Sequence, residues 1–193
     1  MDINQKITEE LGVKRWQVDA AVRLIDEGST IPFIARYRKE ATGTLNDEQL
    51  RTLHERLTYL RGLEEKKEQV LGSIEEQGKL TEELKNQILA AETMVVVEDL
   101  YRPYRPKRRT RASIAKEKGL EPLAVLITLQ KTDRPREELA EEYVDEEKGV
   151  KSAAEAIQGA RDIIAENISD DADYRSYIRS VTMKKGRVIS AAK

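Results

Sequence analysis

NDEQLRTLHERLTYLRGLEEKKEQVLGSIEEQG, residues 46–78, is the stretch on which the fold turns. Leu50, Leu53, Leu57, Leu60, Leu63, Val70 and Ile74 recur at spacings that line one face of an α-helix. Asn46 stands where an N-cap belongs, Asp47 and Glu48 complement the positive end of the dipole, and Gln49 holds the capping-box position. Gly78 supplies the stop. Lys67 takes one place in the apolar stripe, where its methylene stem can still cover apolar surface. Roughly thirty residues at 1.5 Å each make a rod of about 45 Å, longer than one small domain is wide. The apolar phase slips near Leu60 and Leu63, and Gly62 and Gly72 interrupt it. A spine for packed subdomains is therefore expected rather than half of a coiled coil.

Three short helices are expected before this rod. Ile3, Ile7 and Leu11 give a one-sided helix ending at Gly12. A second helix is expected from about Lys14 to Glu27, with Val18, Ala21, Val22 and Ile25 inside and Trp16 as a core or contact anchor. Pro32 opens a third, which should bury Ile31, Phe33 and Ile34 and turn Arg36, Tyr37, Arg38 and Lys39 outward. Three short helices with a basic third match the order of a helix-turn-helix.

After the rod, Thr81 caps a helix with Leu84, Ile88 and Leu89 inside. The run Met94-Val95-Val96-Val97 favours strand by composition but has no partner strand, so it reads as helix. Ala112 to Lys118 reads as helical turns stopped by Gly119, and Pro122 opens a helix with Leu123, Val125, Leu126 and Ile127 inside. Residues 135–147 are dense in acid, which is most often a solvated helix face. Ser152 and Glu155 form a capping box for a helix carrying Ile157, Ala160, Ile164 and Ile168. A last helix starts near Asp171, carries Tyr174, Ile178 and Val181, and stops at Gly186. The class is all-α and multihelical: a helix-turn-helix-like part ending in the long helix at 1–78, a second helical subdomain at 79–186, and the start of a linker at 187–193.

Composition agrees. Charged residues make up 36% and aromatics 5%, a balance of helix formers over strand formers. There is no cysteine, which excludes disulfides and Cys-zinc sites and fits a cytoplasmic protein. No apolar run reaches the length of a membrane span, so no membrane partner is expected. The single His54 has no second histidine or cysteine with which to build a site. No catalytic residue, metal site or cofactor is expected, and the chain reads as a non-enzyme.

The exception to the mixed charge is LYRPYRPKRRTR, residues 100–111. It holds Arg102, Arg105, Lys107, Arg108, Arg109 and Arg111 with no acid, interleaved with Tyr101, Tyr104 and two prolines. Proline disfavours helix before it, so an extended or turned backbone is expected. Guanidinium forks match phosphate oxygens, and tyrosine faces can stack on bases. Arg36, Arg38 and Lys39 make a second basic patch. The other reading is a basic loop that pairs with this chain's own acidic helices.

Three strings carry a wider likeness: IPFIARYRKEATG (31–43), LRTLHERLTYLRGLEEKKEQVLGSIEEQGKLT (50–81) and VEDLYRPYRPKRRTRASIAKEKGLEPLA (97–124). Together, in this order and spacing, they resemble the amino-terminal region of the Tex family of bacterial transcription accessory proteins. That resemblance implies an all-helical region with a helix-turn-helix-like part and a long central helix. It also implies a longer protein continuing into a nuclease-like fold, helix-hairpin-helix elements and an S1 domain that carries much of the affinity for nucleic acid. The expected partners are then RNA or DNA through the phosphate backbone, the missing carboxy-terminal domains, and the transcription or translation machinery. The alternative role is a scaffold that docks those domains or that machinery.

Overall fold

The computed structural model describes residues 1–106 and 109–191; Lys107 and Arg108 of the basic stretch lie outside the described residues. Among the described residues there are eleven α-helices, one 3-10 turn, a single isolated bridge between Asp145 and Val150, and no strand. The all-α expectation holds. None of these helices is long and apolar enough to cross a membrane.

Backbone packing divides the chain into two units, Met1–Val97 and Glu98–Lys193. The first is organised around α4 (Asp47–Glu76), the expected rod of 30 residues. Asn46 accepts from the Gln49 amide, and Gln49 Oε1 accepts from the Asn46 amide in return, both near 3 Å. Every expected stripe residue of α4 is buried, Lys67 included. Against it pack α1 (Ile3–Leu11), α2 (Arg15–Asp26), α3 (Ile31–Tyr37) and α5 (Glu82–Ala90). Two arginine forks tie the first pair to the rod. Arg56 donates to both oxygens of Glu10 on α1 at 2.6 and 2.7 Å. Arg61 does the same to Asp26 on α2 at 2.7 and 2.8 Å.

Backbone packing groups the residues up to Val97 with the first unit. The reason is α5. Leu84 and Ile88 are buried in the first unit, and Lys67 Nζ donates 2.9 Å to the carbonyl of Leu89. That ammonium also meets Glu64 at 2.8 Å with only 3% of its side chain exposed. The valine-rich segment is helical, as expected, in α6 (Met94–Tyr101), and its Met94 amide donates to the Tyr59 hydroxyl.

The second unit is organised around α10 (Ala153–Asp170), which packs on α7 (Arg111–Glu117), α8 (Glu121–Leu129) and α9 (Arg136–Glu141). Its core is built largely of small side chains: Ala112, Ala115, Ala124, Ala140, Ala156 and Ala160, with Leu120, Leu123 and Ile163. Gly159 is part of that close approach, since a Cβ there would collide with Leu120 and crowd Ala115. Ser152 caps α10, but the Glu155 carboxylate reaches the Lys151 amide instead of closing the capping box. The acidic run pairs within its own neighbourhood, Arg134 with Glu142 and Glu138, and Arg136 with Glu137.

Several inward positions differ from the sequence reading. Leu24 rather than Ile25 completes the buried face of α2. Leu89, Val125 and Leu126 are exposed, while Ala124 takes the inner place beside Leu123. The last helix, α11 (Ala172–Lys185), buries none of its side chains, and Tyr174 and Ile178 are exposed. Its Gly186 ends it with extended rather than left-handed backbone.

Candidate nucleic-acid interface

The smaller basic patch lies at the end of α3. Ile34 is fully buried and fixes the helix on its inner side. Phe33 and Tyr37, four residues apart, share the outer side. Phe33 is 40% exposed, against the expectation that it enters the core, and Tyr37 is 65% exposed. Only seven residues long, α3 has one inward stripe, and Ile34 already fills it. The two ring centroids lie 5.4 Å apart at 46°, and the Arg38 guanidinium sits 5.7 Å from the Phe33 ring centre. Arg36, Tyr37, Arg38, Lys39, Glu40 and Ala41 surround an open hollow of about 380 Å³.

The loop that follows α3, with Arg38 and Lys39 at its start, is held by α2. Gln17 Nε2 donates to the carbonyls of Gly43 at 2.8 Å and Thr42 at 3.3 Å. Trp16, half exposed rather than a core anchor, lays its ring on Gly43 so closely that a Cβ there would collide with it. Gly43 and Thr44 both have positive φ, 61° and 64°. For a β-branched threonine that conformation costs about 1–2 kcal/mol, so the surrounding bonds must impose it. The Thr42 hydroxyl, buried, donates to the carbonyl of Arg38, and the Thr44 amide donates 2.8 Å to the carbonyl of Lys39. Among the described residues no carboxylate is paired with Arg36, Arg38 or Lys39.

The larger basic stretch is differently placed. Its first part is not extended: α6 runs through Tyr101, and Arg102–Tyr104 continue as a 3-10 turn with Pro103 near its start. Proline fits the first turn of a helix because the missing N–H has no partner there, and this outweighs its effect on the residue before it. The extended backbone begins only at Arg105. Tyr101 and Tyr104 are half-buried, and each already has an interaction within the chain. Arg102 Nε donates 2.9 Å to Asp170, whose side chain is nearly covered. Arg105 lies 3.7 Å from Glu98, and Arg109 3.3 Å from Glu117. The expected row of outward donors is thus partly neutralised by the chain's own acids. The magnitudes separate its members. Exposed pairs are worth about 0–1 kcal/mol, so Arg105 and Arg109 exchange partners readily. Arg102 is tied to a nearly buried carboxylate, and that pair costs more to separate. Arg111, the first residue of α7, is exposed.

One charged cluster escaped the sequence reading. Asp99 on α6, buried, accepts from Arg175 Nε at 2.6 Å and from Arg179 at 2.5 Å, both on α11. Burial pushes its carboxyl upward, but the two guanidinium hydrogen bonds outweigh that and hold it below the usual range. The only sequence signal was a pair of arginines one helical turn apart, and their partner lies 76 and 80 residues away.

Two family models match this architecture, the Tex-like protein N-terminal domain over residues 1–75 and the Tex central region-like model over residues 130–193. The chain belongs to the Tex family. Transcriptional accessory protein Tex of Neisseria gonorrhoeae is 51% identical over 180 residues, which cover 93% of this chain and 23% of that protein. Protein tex of Bordetella pertussis is 50% identical over 96% of this chain and 23% of its own length. S1 RNA-binding domain-containing protein 1 of Homo sapiens is 29% identical over 95% of this chain and 18% of that protein. The chain thus spans about a quarter of the length of the bacterial Tex relatives it matches. The α3 patch falls within the matched Tex N-terminal model, and residues 100–111 fall between the two models.

Proposed function

We propose that this Tex-family chain is a non-enzymatic module that contributes sequence-independent binding of RNA or DNA within a transcription accessory protein. Arg36, Arg38 and Lys39 make the principal contacts to phosphates, and Arg105, Arg109 and Arg111 add weaker ones. The observation that carries this reading is that, among the described residues, no carboxylate pairs with the three α3 cations beside two exposed aromatic rings. Guanidinium and ammonium groups without a carboxylate are free to displace counterions from a polyanion. The loop beneath them is already ordered, so little conformational entropy is lost on contact. The relatives' names, which speak of transcription and of an S1 RNA-binding domain, support the same setting.

The test is a titration of the chain against fluorescent oligonucleotides between 50 and 200 mM salt. Log affinity should fall linearly with log salt, and the triple variant R36Q/R38Q/K39Q should flatten that slope by about two units. Absence of any binding at the lowest salt, or an unchanged slope in the triple variant, would overturn the reading.

A scaffold role rests on a separate observation. Helix α11 buries no side chain, and Tyr177, Ile178 and Met183 on it are exposed. In this second reading the surface docks further domains of a longer Tex protein, or the transcription or translation machinery. Cross-linking from residue 178 within a full-length relative would detect it, and an absence of cross-links would remove it.

A further inference from the structure

The chain's only phenylalanine stands on the surface, four residues before a still more exposed tyrosine. Leaving such rings in water forgoes hydrophobic stabilisation that the core could have supplied. Their geometry says what they can meet. Arg38 covers one face of Phe33, and Phe33 in turn abuts Tyr37 at a tilt, so Phe33 backs the tyrosine. Tyr37, the most exposed of the set, keeps a face open beside the hollow ringed by Arg36, Arg38 and Lys39. A flat apolar face flanked by phosphate-binding cations suits a nucleotide whose base is unstacked and whose phosphates lie alongside.

A duplex fits this surface less well. Its bases are stacked inside, so the rings would have nothing to cover. A helix that reads a major groove does so with polar side chains near its N-terminus. The start of α3 carries Ile31 and Pro32, which offer no side-chain donor or acceptor. The cations would still find duplex phosphates, but the aromatic pair would contribute nothing.

We infer that the α3 surface is a single-strand site, in which Tyr37, backed by Phe33, stacks on an unpaired base while Arg36, Arg38 and Lys39 hold the adjoining phosphates. This rests on the nucleic-acid reading above and assigns it a ligand class. The loop pinned by Gln17, Trp16 and Thr42 keeps the platform and the cations in register before the strand arrives.

The experiment compares the whole chain binding 12-nucleotide single strands, as RNA and as DNA, with a duplex of the same sequence. Fluorescence anisotropy at low salt supplies the affinities. Single strands should bind at least about tenfold more tightly than the duplex. Tyr37→Ala should lower single-strand affinity by about 5- to 100-fold, the range for loss of one base-stacking ring, with the salt slope and duplex affinity unchanged. Tyr37→Phe should restore it, and Phe33→Ala should give a smaller loss. Circular dichroism of each variant should match the parent, because both rings are solvent-facing. Equal affinity for both forms, or Tyr37→Ala behaving as the parent while R36Q/R38Q/K39Q loses binding, would overturn the single-strand assignment and leave the phosphate reading intact. No binding of either form would overturn both.

Discussion

The end of α3 and the turn after it carry three cations between residues 36 and 39, and the 102–111 stretch carries twice as many. The poorer region is the better candidate. The hollow at α3 has one acid in its lining, Glu40, and no ion pair engages the cations among the described residues. Along 102–111, Asp170, Glu98 and Glu117 have moved in beside Arg102, Arg105 and Arg109. In a chain with 36 acids and 34 bases, a dense basic run attracts the fold's own carboxylates first. A run of arginines therefore measures how much charge needs partners, and only the coordinates show how much is left over for an outside anion.

Lys67 marks the far limit of that contrast, a cation almost wholly withdrawn from solvent. Lys67→Ala should lower the stability of the first unit by about 2–5 kcal/mol, because the Leu89 carbonyl loses its donor, Glu64 keeps only the Met1 ammonium, and the buried stem leaves a cavity. Chemical denaturation measures it; a loss below about 1 kcal/mol would show that the buried ammonium is incidental. The direct comparison comes next. R36Q/R38Q/K39Q should reduce oligonucleotide affinity by about 100-fold at low salt, and R105Q/R109Q/R111Q by less than tenfold. The reverse order in the same titration would break the contrast between free and engaged cations.

Asp99 gives a smaller, local effect. Asp99→Asn should loosen α11 by about 1–2 kcal/mol, seen as faster hydrogen exchange over residues 172–185 with the rest of the unit unchanged. The sign with pH follows from the depressed carboxyl. Its contribution is complete above about pH 4, where the unfolded carboxyl is also ionised, and disappears as pH falls through the lower folded value. Parent and variant should therefore converge in α11 exchange well below pH 4, and a difference that persists there would refute the clamp. Smallest of all, Arg109→Ala should change the melting free energy by less than about 0.5 kcal/mol, since both partners are exposed.

Much of the fold was legible because its signals are local. The Asn46–Gln49 box and the Thr81 cap each act within three residues, and each is formed. Gly12 and Gly78 stop helices with the positive φ their position requires. The α4 stripe was readable because a rod packed along its length repeats one rule many times. The site was less legible. Phe33 and Ile34 are neighbours of equal apolar appeal, and only the rod's position decides which turns inward. Pro103 was read for its effect on the residue before it, while its fit to a 3-10 turn decided the backbone. The partners of Arg102 and Asp99 lie at least 68 residues away in sequence, where no periodicity reaches.

Asp99 holds two arginines that sit one turn apart on α11. Two anchors on a single oxygen pair act as a key in a slot: they stop the helix from rolling about its long axis. The side opposite the key, where Tyr177 stands 70% exposed, is thereby always the side shown outward. Any molecule that approaches α11 meets a surface whose orientation was settled by one carboxylate.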